Sequence, residues 1–194
     1  QEMLDFVWKT YEDVVNGFVD EDLKTLRRAV KRIDAEKSRR KKLRQRELVG
    51  MRRIDKRISL EKNTWFHLAS NSGYQMLYCL KRMSDPCKEH VDNNFNPLSR
   101  ECIEEILPVK KKIVDYLMRS ERIVEDRDYE HIDALLAEEE AYKQQLSEMQ
   151  EDRIQMDLSQ GLKVSLVYLN LLQETQELLS DLRHYLRAFK RFQQ

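Results

Sequence analysis

Glycine and proline are scarce in this chain of 194 residues, which contains four glycines and three prolines. A β-rich fold needs many turns, and turns draw heavily on these two residue types. Their scarcity argues against a sheet protein and predicts a few long helices. Apolar residues make up 41% of the chain, so a helical fold of this length can bury a substantial core.

Long apolar runs are also missing. No stretch approaches the roughly 18 uninterrupted apolar residues that a membrane-spanning helix needs, and charged residues make up 36% of the chain. There is no segment with the pattern of a signal peptide. Because the chain begins with Gln1 rather than Met, we expect it to be a fragment of a longer protein, with any membrane-spanning part outside it.

Cysteines are few and irregularly spaced, at Cys79, Cys87 and Cys102. An odd number at irregular spacing fits a reducing compartment better than a disulfide framework. Cys87 and Cys102, taken with His90, lack the second close pair of ligands that a zinc site usually shows.

Catalytic motifs are absent from the sequence. It contains no glycine-rich phosphate loop, no GxSxG nucleophile motif and no HExxH zinc motif. The four histidines are scattered along the chain, at His67, His90, His131 and His184. We therefore expect a protein that binds other molecules, not an enzyme.

What the sequence does contain is apolar residues at three- and four-residue steps, the pattern of amphipathic helices. This pattern predicts an all-α fold of six helices. The helices are predicted at about residues 2–18, from Glu21 past Met51, from Arg57 through Met83, from Ser99 onward, after Asp126, and over most of the remaining chain.

Several residues predict where these helices begin and end. Asp20 is the predicted cap of the second helix, and Ser99 that of the fourth. Asp85-Pro86 is predicted to end the third helix, since proline lacks the backbone N–H that the next turn requires. Pro108 should kink the fourth helix or mark its start. Turn residues up to Pro97 form the clearest break in the chain.

The two sides of this break resemble each other. Asp22 and Asp128, which are 106 positions apart, each stand in an acidic turn that precedes a helix. This similarity predicts two tandem three-helix-bundle repeats, residues 1–97 and 98–194, which together form one regulatory domain. Other pairs at the same spacing are Trp8 with Val114, Tyr11 with Leu117, Asp34 with Glu140, and Leu80 with Leu186.

The second predicted helix is strongly basic. Between Lys37 and Arg57 there are eleven lysines and arginines, opposed only by Glu47 and Asp55. Such a run forms either a solvated helix surface or a surface for an anionic membrane leaflet or partner. Nucleic acid is the weaker alternative, because no aromatic residues are interleaved for base stacking. The candidate anion-binding residues are Arg39, Arg40, Lys41, Lys42, Arg44 and Arg46.

Three carboxylates are candidate metal ligands. Helical bundles that bind metals place acidic residues on facing helices so that several oxygens converge. Asp34, Glu140 and Glu174 lie where their side chains could point inward. The alternative is that the acidic run around Glu140 is an exposed surface.

The stretch KNTWFHLASNSGYQMLYCLKRMSDPCKEHVDNNFNPL, residues 62–98, resembles the PhoU family of bacterial phosphate-uptake regulators. More narrowly, it resembles the PhoU-like cytoplasmic C-terminal domain of bacterial sodium/phosphate cotransporters. The resemblance implies two three-helix bundles, a regulatory role, and attachment to a sodium-dependent phosphate carrier on the cytoplasmic side of the membrane. The implied partners are the transmembrane part of the same polypeptide, anionic inner-leaflet lipid and a second copy of the chain, with no nucleic acid.

Members of the PhoU family bind iron or zinc through paired acidic motifs, which this chain matches only in part. The second-helix motif keeps Asp34 and Glu140, but its partner positions hold Ser38 and Gln144. The third-helix motif falls on Ala69 and Gly73 in the first repeat, and on Asn170 and Glu174 in the second. The alternatives to a transporter regulator are a spectrin-like scaffold of helical repeats and a metal-binding helical bundle.

Overall fold

The structure, a computed structural model, describes residues 2–51, 59–155 and 161–193. Over these residues it is all-helical, with six α-helices and a single turn of 3-10 helix at Tyr129–His131. None of the described helices is both long and apolar enough to cross a membrane. The helices are α1 (Glu2–Val19), α2 (Leu23–Met51), α3 (Ser59–Asp92), α4 (Arg100–Asp126), α5 (Ile132–Gln155) and α6 (Leu162–Gln193).

Helices α3 and α6 pack side by side in opposite directions and form the centre of the fold. Near one end of the pair, the Arg191 guanidinium lies 5.8 Å from the centre of the Trp65 ring. In the middle, Arg82 Nε pairs with Glu174 Oε1 at 3.0 Å. Near the other end, Lys163 Nζ lies 4.0 Å from the Phe95 ring. The pair is therefore in contact along most of its length.

The other helices surround this pair. Helix α1 contacts α2, α3 and α4, α2 packs on α3, and α5 packs on α6. Their buried apolar residues form one continuous core. The apolar stripe predicted for α1 is buried, except that Trp8 is half-buried and donates a hydrogen bond from Nε1 to Glu121 Oε2 at 3.0 Å. Helices α1 and α4 are thus joined by a polar contact beside the core.

The cap of α2 is Asp22, so the prediction of Asp20 was wrong. Glu21 has the left-handed backbone conformation (φ 52°), and the chain turns there before α2 begins. Asp22 Oδ1 then accepts a hydrogen bond from the Thr25 backbone N at 3.1 Å, and its Oδ2 accepts one from Thr25 Oγ1 at 2.7 Å. These bonds satisfy donors that the first turn of a helix leaves free.

Helix α3 does not end at Asp85-Pro86 as predicted, but continues through Pro86 to Asp92. Proline at this position removes the N–H that would normally bond the carbonyl of Arg82. The Asn170 side chain of α6 supplies a donor instead, with Nδ2 at 2.9 Å from Arg82 O. A neighbouring helix therefore satisfies the carbonyl that the proline leaves free.

Helix α4 begins at Arg100, and its predicted cap is confirmed, because Ser99 accepts a hydrogen bond from the Cys102 backbone N at 3.2 Å. Pro108 lies inside the helix and does not mark its start. The fifth helix begins later than predicted, at Ile132. Arg127, in the left-handed conformation (φ 55°), ends α4, and the 3-10 turn intervenes.

The leucine spacing near the end of the chain predicts one apolar stripe along the sixth helix that includes Leu158, Leu162 and Leu166. Leu162 and Leu166 are instead 56% and 55% exposed, whereas Val164 and Tyr168 are buried. Positions two residues apart lie about 200° apart around a helix, so these pairs occupy opposite faces. Leu158 lies outside the described residues. The apolar pattern of α3 also places Leu68 in the core, but this side chain is 44% exposed.

Candidate functional site

The basic half of α2 is largely exposed. The side chains from Lys41 to Glu47 are all exposed, including Lys41, Lys42, Arg44 and Arg46 of the predicted anionic surface. Of the other two candidates, Arg39 is exposed and Arg40 is half-buried. The loss of apolar residues from this part of the sequence therefore corresponds to a helix surface with exposed side chains.

Arg39 and Arg40 are engaged by Glu36 of the same helix. Arg39 Nη2 lies 2.7 Å and Arg40 Nε 2.8 Å from Glu36 Oε1. Burial tends to raise the pKa of Glu36, but the hydrogen bonds from the two arginines outweigh it and the pKa is lowered. Lys37 Nζ packs 4.2 Å from the Tyr78 ring of α3. The arginine contacts are internal to α2, and the Lys37 contact holds the start of the basic segment against α3.

An apolar pocket of about 210 Å³ opens between α2, α3 and the C-terminal end of α6. We call it the α2–α6 pocket. Its apolar lining comes from four helices: Met3, Leu43, Phe66, Ala69 and Phe189. Its polar and charged lining residues are Arg40, Arg44, Glu47 and Ser70. Gly73, Tyr74 and Tyr185 complete the wall.

The pocket therefore brings together residues from two distant parts of the sequence. Arg40 and Arg44 belong to the predicted anionic surface, and Ala69 and Gly73 are positions where the resemblance described above implies acidic residues. At Gly73 the absence of a side chain lets neighbouring side chains pack against the helix. An ideal Cβ at Gly73 would lie 3.0 Å from Met3 Cε and 3.8 Å from Tyr185 Cε2, so the backbone of α3 approaches both side chains closely.

The positive charges of Arg40 and Arg44 act on two tyrosines of the pocket wall, Tyr185 and Tyr74. Burial raises the pKa of Tyr185, and the positive charge of Arg40 opposes that shift. The pKa of Tyr74 is raised by burial and by its hydrogen bond with Tyr78, and Arg44 opposes the shift. The polar end of the pocket thus combines two guanidinium groups with tyrosine side chains.

The three predicted metal ligands do not converge. Asp34 is half-exposed and pairs with Lys81 Nζ of α3 at 2.9 Å, and the same ammonium lies 3.1 Å from Asp85. Glu140 is exposed on α5. Glu174 is buried on α6 and accepts a hydrogen bond from Arg82 Nε. Each of the two carboxylates with a described partner is thus neutralised by a cation of α3.

Glu174 belongs to a polar cluster between α3 and α6. Its Oε2 is buried without a hydrogen-bond partner. One turn away along the interface, Cys79 Sγ donates to Asp181 Oδ2 at 3.3 Å, and Arg82 Nη2 donates to the same sulfur at 3.4 Å. Burial and the neighbouring carboxylate raise the pKa of the Cys79 thiol, so the sulfur is held protonated.

The buried glutamate of the acidic run is Glu139, not Glu140. It is 1% exposed, with Arg183 Nε at 2.9 Å and Lys143 Nζ at 3.7 Å. Burial raises its pKa, against the effect of these cations. The spacing of buried Leu135, Leu136 and Leu146 places Glu139 on their face of the helix, so the periodicity already contained this signal.

No group of three or more His, Cys, Asp or Glu side chains that could hold a metal occurs in the described part of the chain. Of the carboxylates considered for iron or zinc, Asp34 and Glu174 pair with Lys81 and Arg82, a donor set that fits ion pairs and does not fit a metal cluster. Of the other family-motif positions, Gln144 bonds Glu148 at 3.1 Å and Asn170 bonds the Arg82 carbonyl. All three cysteines are buried free thiols.

Sequence reasoning missed the residues that α1 and α6 contribute to the pocket, Met3, Tyr185 and Phe189. All three lie on helices other than α2, so no local sequence pattern links them to Arg40. In comparisons with protein-family models, with curated proteins and with solved structures, nothing matched this chain.

Proposed function

We propose that the chain is a PhoU-like regulatory domain that acts by binding and controls a sodium-dependent phosphate transporter-like membrane protein from its cytoplasmic side. The observation that carries the proposal is the basic stretch of α2 from Lys41 to Glu47, whose side chains are all exposed. An anionic leaflet attracts such a segment by about 1 kcal/mol for each lysine or arginine near its surface.

The proposal includes the tandem arrangement, α1–α3 followed by α4–α6. In its support, Glu21 and Arg127, two of the three described non-glycine residues in the left-handed conformation, are 106 positions apart, the same spacing that relates Asp22 to Asp128. Asp22 precedes α2 and Asp128 precedes the 3-10 turn before α5. Matching turn conformations at matching positions are what a duplicated three-helix unit would produce.

The domain would regulate the transporter by making contacts that are available in one conformation of the transporter and not in another. A domain whose basic surface contacts the membrane or the transporter in only one conformation of the transporter stabilises that conformation by the free energy of the contact. The chain needs no catalytic group for this role. A homodimer would double the number of basic ends that one membrane surface attracts.

The proposal is tested by vesicle sedimentation. We expect the chain to bind vesicles that contain phosphatidylserine and not vesicles of phosphatidylcholine alone. The triple variant Lys41→Glu, Lys42→Glu, Arg46→Glu should bind at least about 100-fold more weakly, because it removes about 3 kcal/mol of attraction. Binding of the parent chain should also weaken as salt is raised.

The matched control changes three exposed basic residues elsewhere, Lys111→Glu, Arg122→Glu and Arg127→Glu, for the same change in net charge. This control should retain most of the affinity. Equal losses in both variants would mean that net charge alone drives the association and would contradict the proposed surface. In the full-length transporter, unchanged phosphate uptake after the α2 substitutions would contradict the regulatory part.

The scaffold alternative has less support. Spectrin-like spacers join repeats end to end, whereas α3 and α6 here pack side by side over most of their length.

The metal-binding alternative stays a hypothesis that the described carboxylates do not favour, since Asp34 and Glu174 pair with Lys81 and Arg82. Metal analysis of protein purified without chelators tests it directly.

A further inference from the structure

We propose that the α2–α6 pocket binds a medium-chain fatty acid, with the hydrocarbon tail among its apolar side chains and the carboxylate at Arg44 and Arg40. The proposal does not rest on the membrane role. It concerns Arg40 and Arg44 at the pocket, whereas the membrane test changes Lys41, Lys42 and Arg46, which do not line the pocket.

The apolar part of the pocket is suited to a hydrocarbon. Met3, Phe66, Ala69 and Phe189 present carbon atoms to the space, and Ala69 is only 8% exposed. A cavity of about 150 Å³ with such a lining admits benzene, so one of 210 Å³ would admit a chain of about eight carbons. Ligand pockets usually combine an apolar wall with a few placed polar groups.

The charged end selects an anion. Arg44 forms no ion pair with a described carboxylate, and its side chain is exposed at the pocket. Arg40 keeps Nε on Glu36, and the rest of its guanidinium carries further donors that line the pocket. Glu47 is the single acidic residue of the lining, so the two arginines leave a net positive charge there.

A fatty acid matches both ends at once. A neutral hydrocarbon would leave Arg44 without a partner, and a small anion such as inorganic phosphate would leave the apolar wall exposed to water. Arginine forms two parallel hydrogen bonds with a carboxylate, a geometry that lysine cannot reproduce. The tail contributes through burial, and each methylene group is worth about 0.8 kcal/mol, a factor of about four in affinity.

The test uses the 194-residue chain with its methionine methyl groups labelled with ¹³C and octanoate as the ligand. Met3 lines the pocket, whereas Met149 is buried on α5 and serves as an internal reference. We expect octanoate to shift the Met3 methyl resonance saturably and to leave that of Met149 unchanged. Hexanoate, two methylenes shorter, should bind about 15-fold more weakly.

Paired variants separate the head from the tail. Arg44→Gln should weaken octanoate about tenfold and leave 1-octanol unaffected, because the alcohol does not use the charge. Arg122→Gln carries the same charge change at an exposed position of α4 and should bind octanoate normally. Ala69→Leu should block both ligands by filling the pocket, and Ser70→Leu provides a second, less buried filler.

Three results would overturn the proposal. The first is the absence of a saturable Met3 shift up to the solubility limit of octanoate in chain whose thermal unfolding is normal. The second is equal weakening by Arg44→Gln and Arg122→Gln, which would indicate charge attraction without a site. The third is binding of the chain to anionic vesicles with no response to octanoate, which would leave the membrane surface intact and remove the fatty-acid site.

Discussion

At the scale of single residues, two helical glycines lie in different surroundings. A Cβ at Gly17 of α1 would lie 2.9 Å from Leu26 Cγ and 3.0 Å from its Cδ2, and Leu26 is fully buried. A Cβ at Gly73 of α3 would meet the terminal methyl of Met3 at 3.0 Å. A branched, buried side chain cannot move aside as easily as the end of a methionine.

We therefore expect opposite effects from the same substitution. Gly17→Ala should lower the free energy of unfolding by about 1 kcal/mol, since overpacking exceeds the gain in helix propensity. Gly73→Ala should raise it by about 0.5 kcal/mol, because the gain in propensity dominates. Urea denaturation with unchanged m-values provides the measurement. A loss at Gly73 as large as that at Gly17 would show that Met3 is held rigidly.

Adjacent glutamates of α5 also differ. Arg119 Nη1 and Nη2 donate to Glu138 at 2.9 and 2.6 Å, and these hydrogen bonds lower its pKa. Burial raises the pKa of Glu139. A lowered folded-state pKa gives stability that is present above the ordinary value of 4.5 and is lost as the pH falls. A raised folded-state pKa gives stability that is present below the ordinary pKa and is lost as the pH rises through the folded-state pKa.

The pH dependence of unfolding should separate the two residues. Glu138→Gln should cost at most about 1 kcal/mol at pH 7, because the pair is partly exposed, and the difference from the parent should vanish as the pH falls below 4.5. Glu139→Gln should remove a gain in stability that the parent shows as the pH falls toward 4.5. Chemical denaturation at several pH values measures both. Parallel pH profiles for the two variants would contradict the assignment of the shifts.

At the scale of helices, the passage of α3 through Pro86 depends on a contact with α6. The Arg82 carbonyl would otherwise have only water as a donor, since Pro86 has no N–H. Asn170 Nδ2 donates a hydrogen bond to this carbonyl. A side chain of α6 is thus used to accommodate a proline of α3.

A double-mutant cycle tests this dependence. Asn170→Ala should cost about 1 kcal/mol of unfolding free energy, the typical worth of a hydrogen bond. In a Pro86→Ala background, where the alanine N–H can bond the Arg82 carbonyl, the same change should cost markedly less. The coupling energy from thermal or urea unfolding is the measured quantity. Equal costs in both backgrounds would show that Asn170 does not compensate for the proline.

At the scale of the whole molecule, the two halves share one core. Thr175 Oγ1 of α6 donates to Tyr11 Oη of α1 at 3.3 Å in a buried contact. Lys110 of α4 donates to Asn16 of α1 at 2.7 Å. Helix α3 buries Met76, Leu77 and Leu80, and its most extensive contact is with α6.

Residues 1–97 expressed alone should therefore fail to form a rigid fold. Separation exposes the α3 surface that α6 covers, and burial of apolar surface is the main stabilising contribution to folding. We expect far-ultraviolet circular dichroism to show helix but near-ultraviolet signals and NMR dispersion to be weak, with both restored on mixing with residues 98–194. A fragment with native-like near-ultraviolet signals would show that the first half is an independent domain.

The sequence by itself determined the helical class, the approximate positions of six helices, the Ser99 cap and the exposed basic half of α2. These features depend on neighbours within a turn or two of helix, so local patterns report them. The spacing of Leu135, Leu136 and Leu146 along α5 also indicates that Glu139 is buried.

Only the tertiary structure decided the rest. The continuation of α3 through Pro86 required Asn170 from a helix some 88 positions away, and the α2–α6 pocket required Tyr185 and Phe189 beside Arg40 and Arg44. The pairing of Asp34 with Lys81, and of Glu174 with Arg82, depended on how α2 and α6 pack on α3. Contacts between distant segments are set by packing of the whole core, and no local pattern encodes which side chains it brings together.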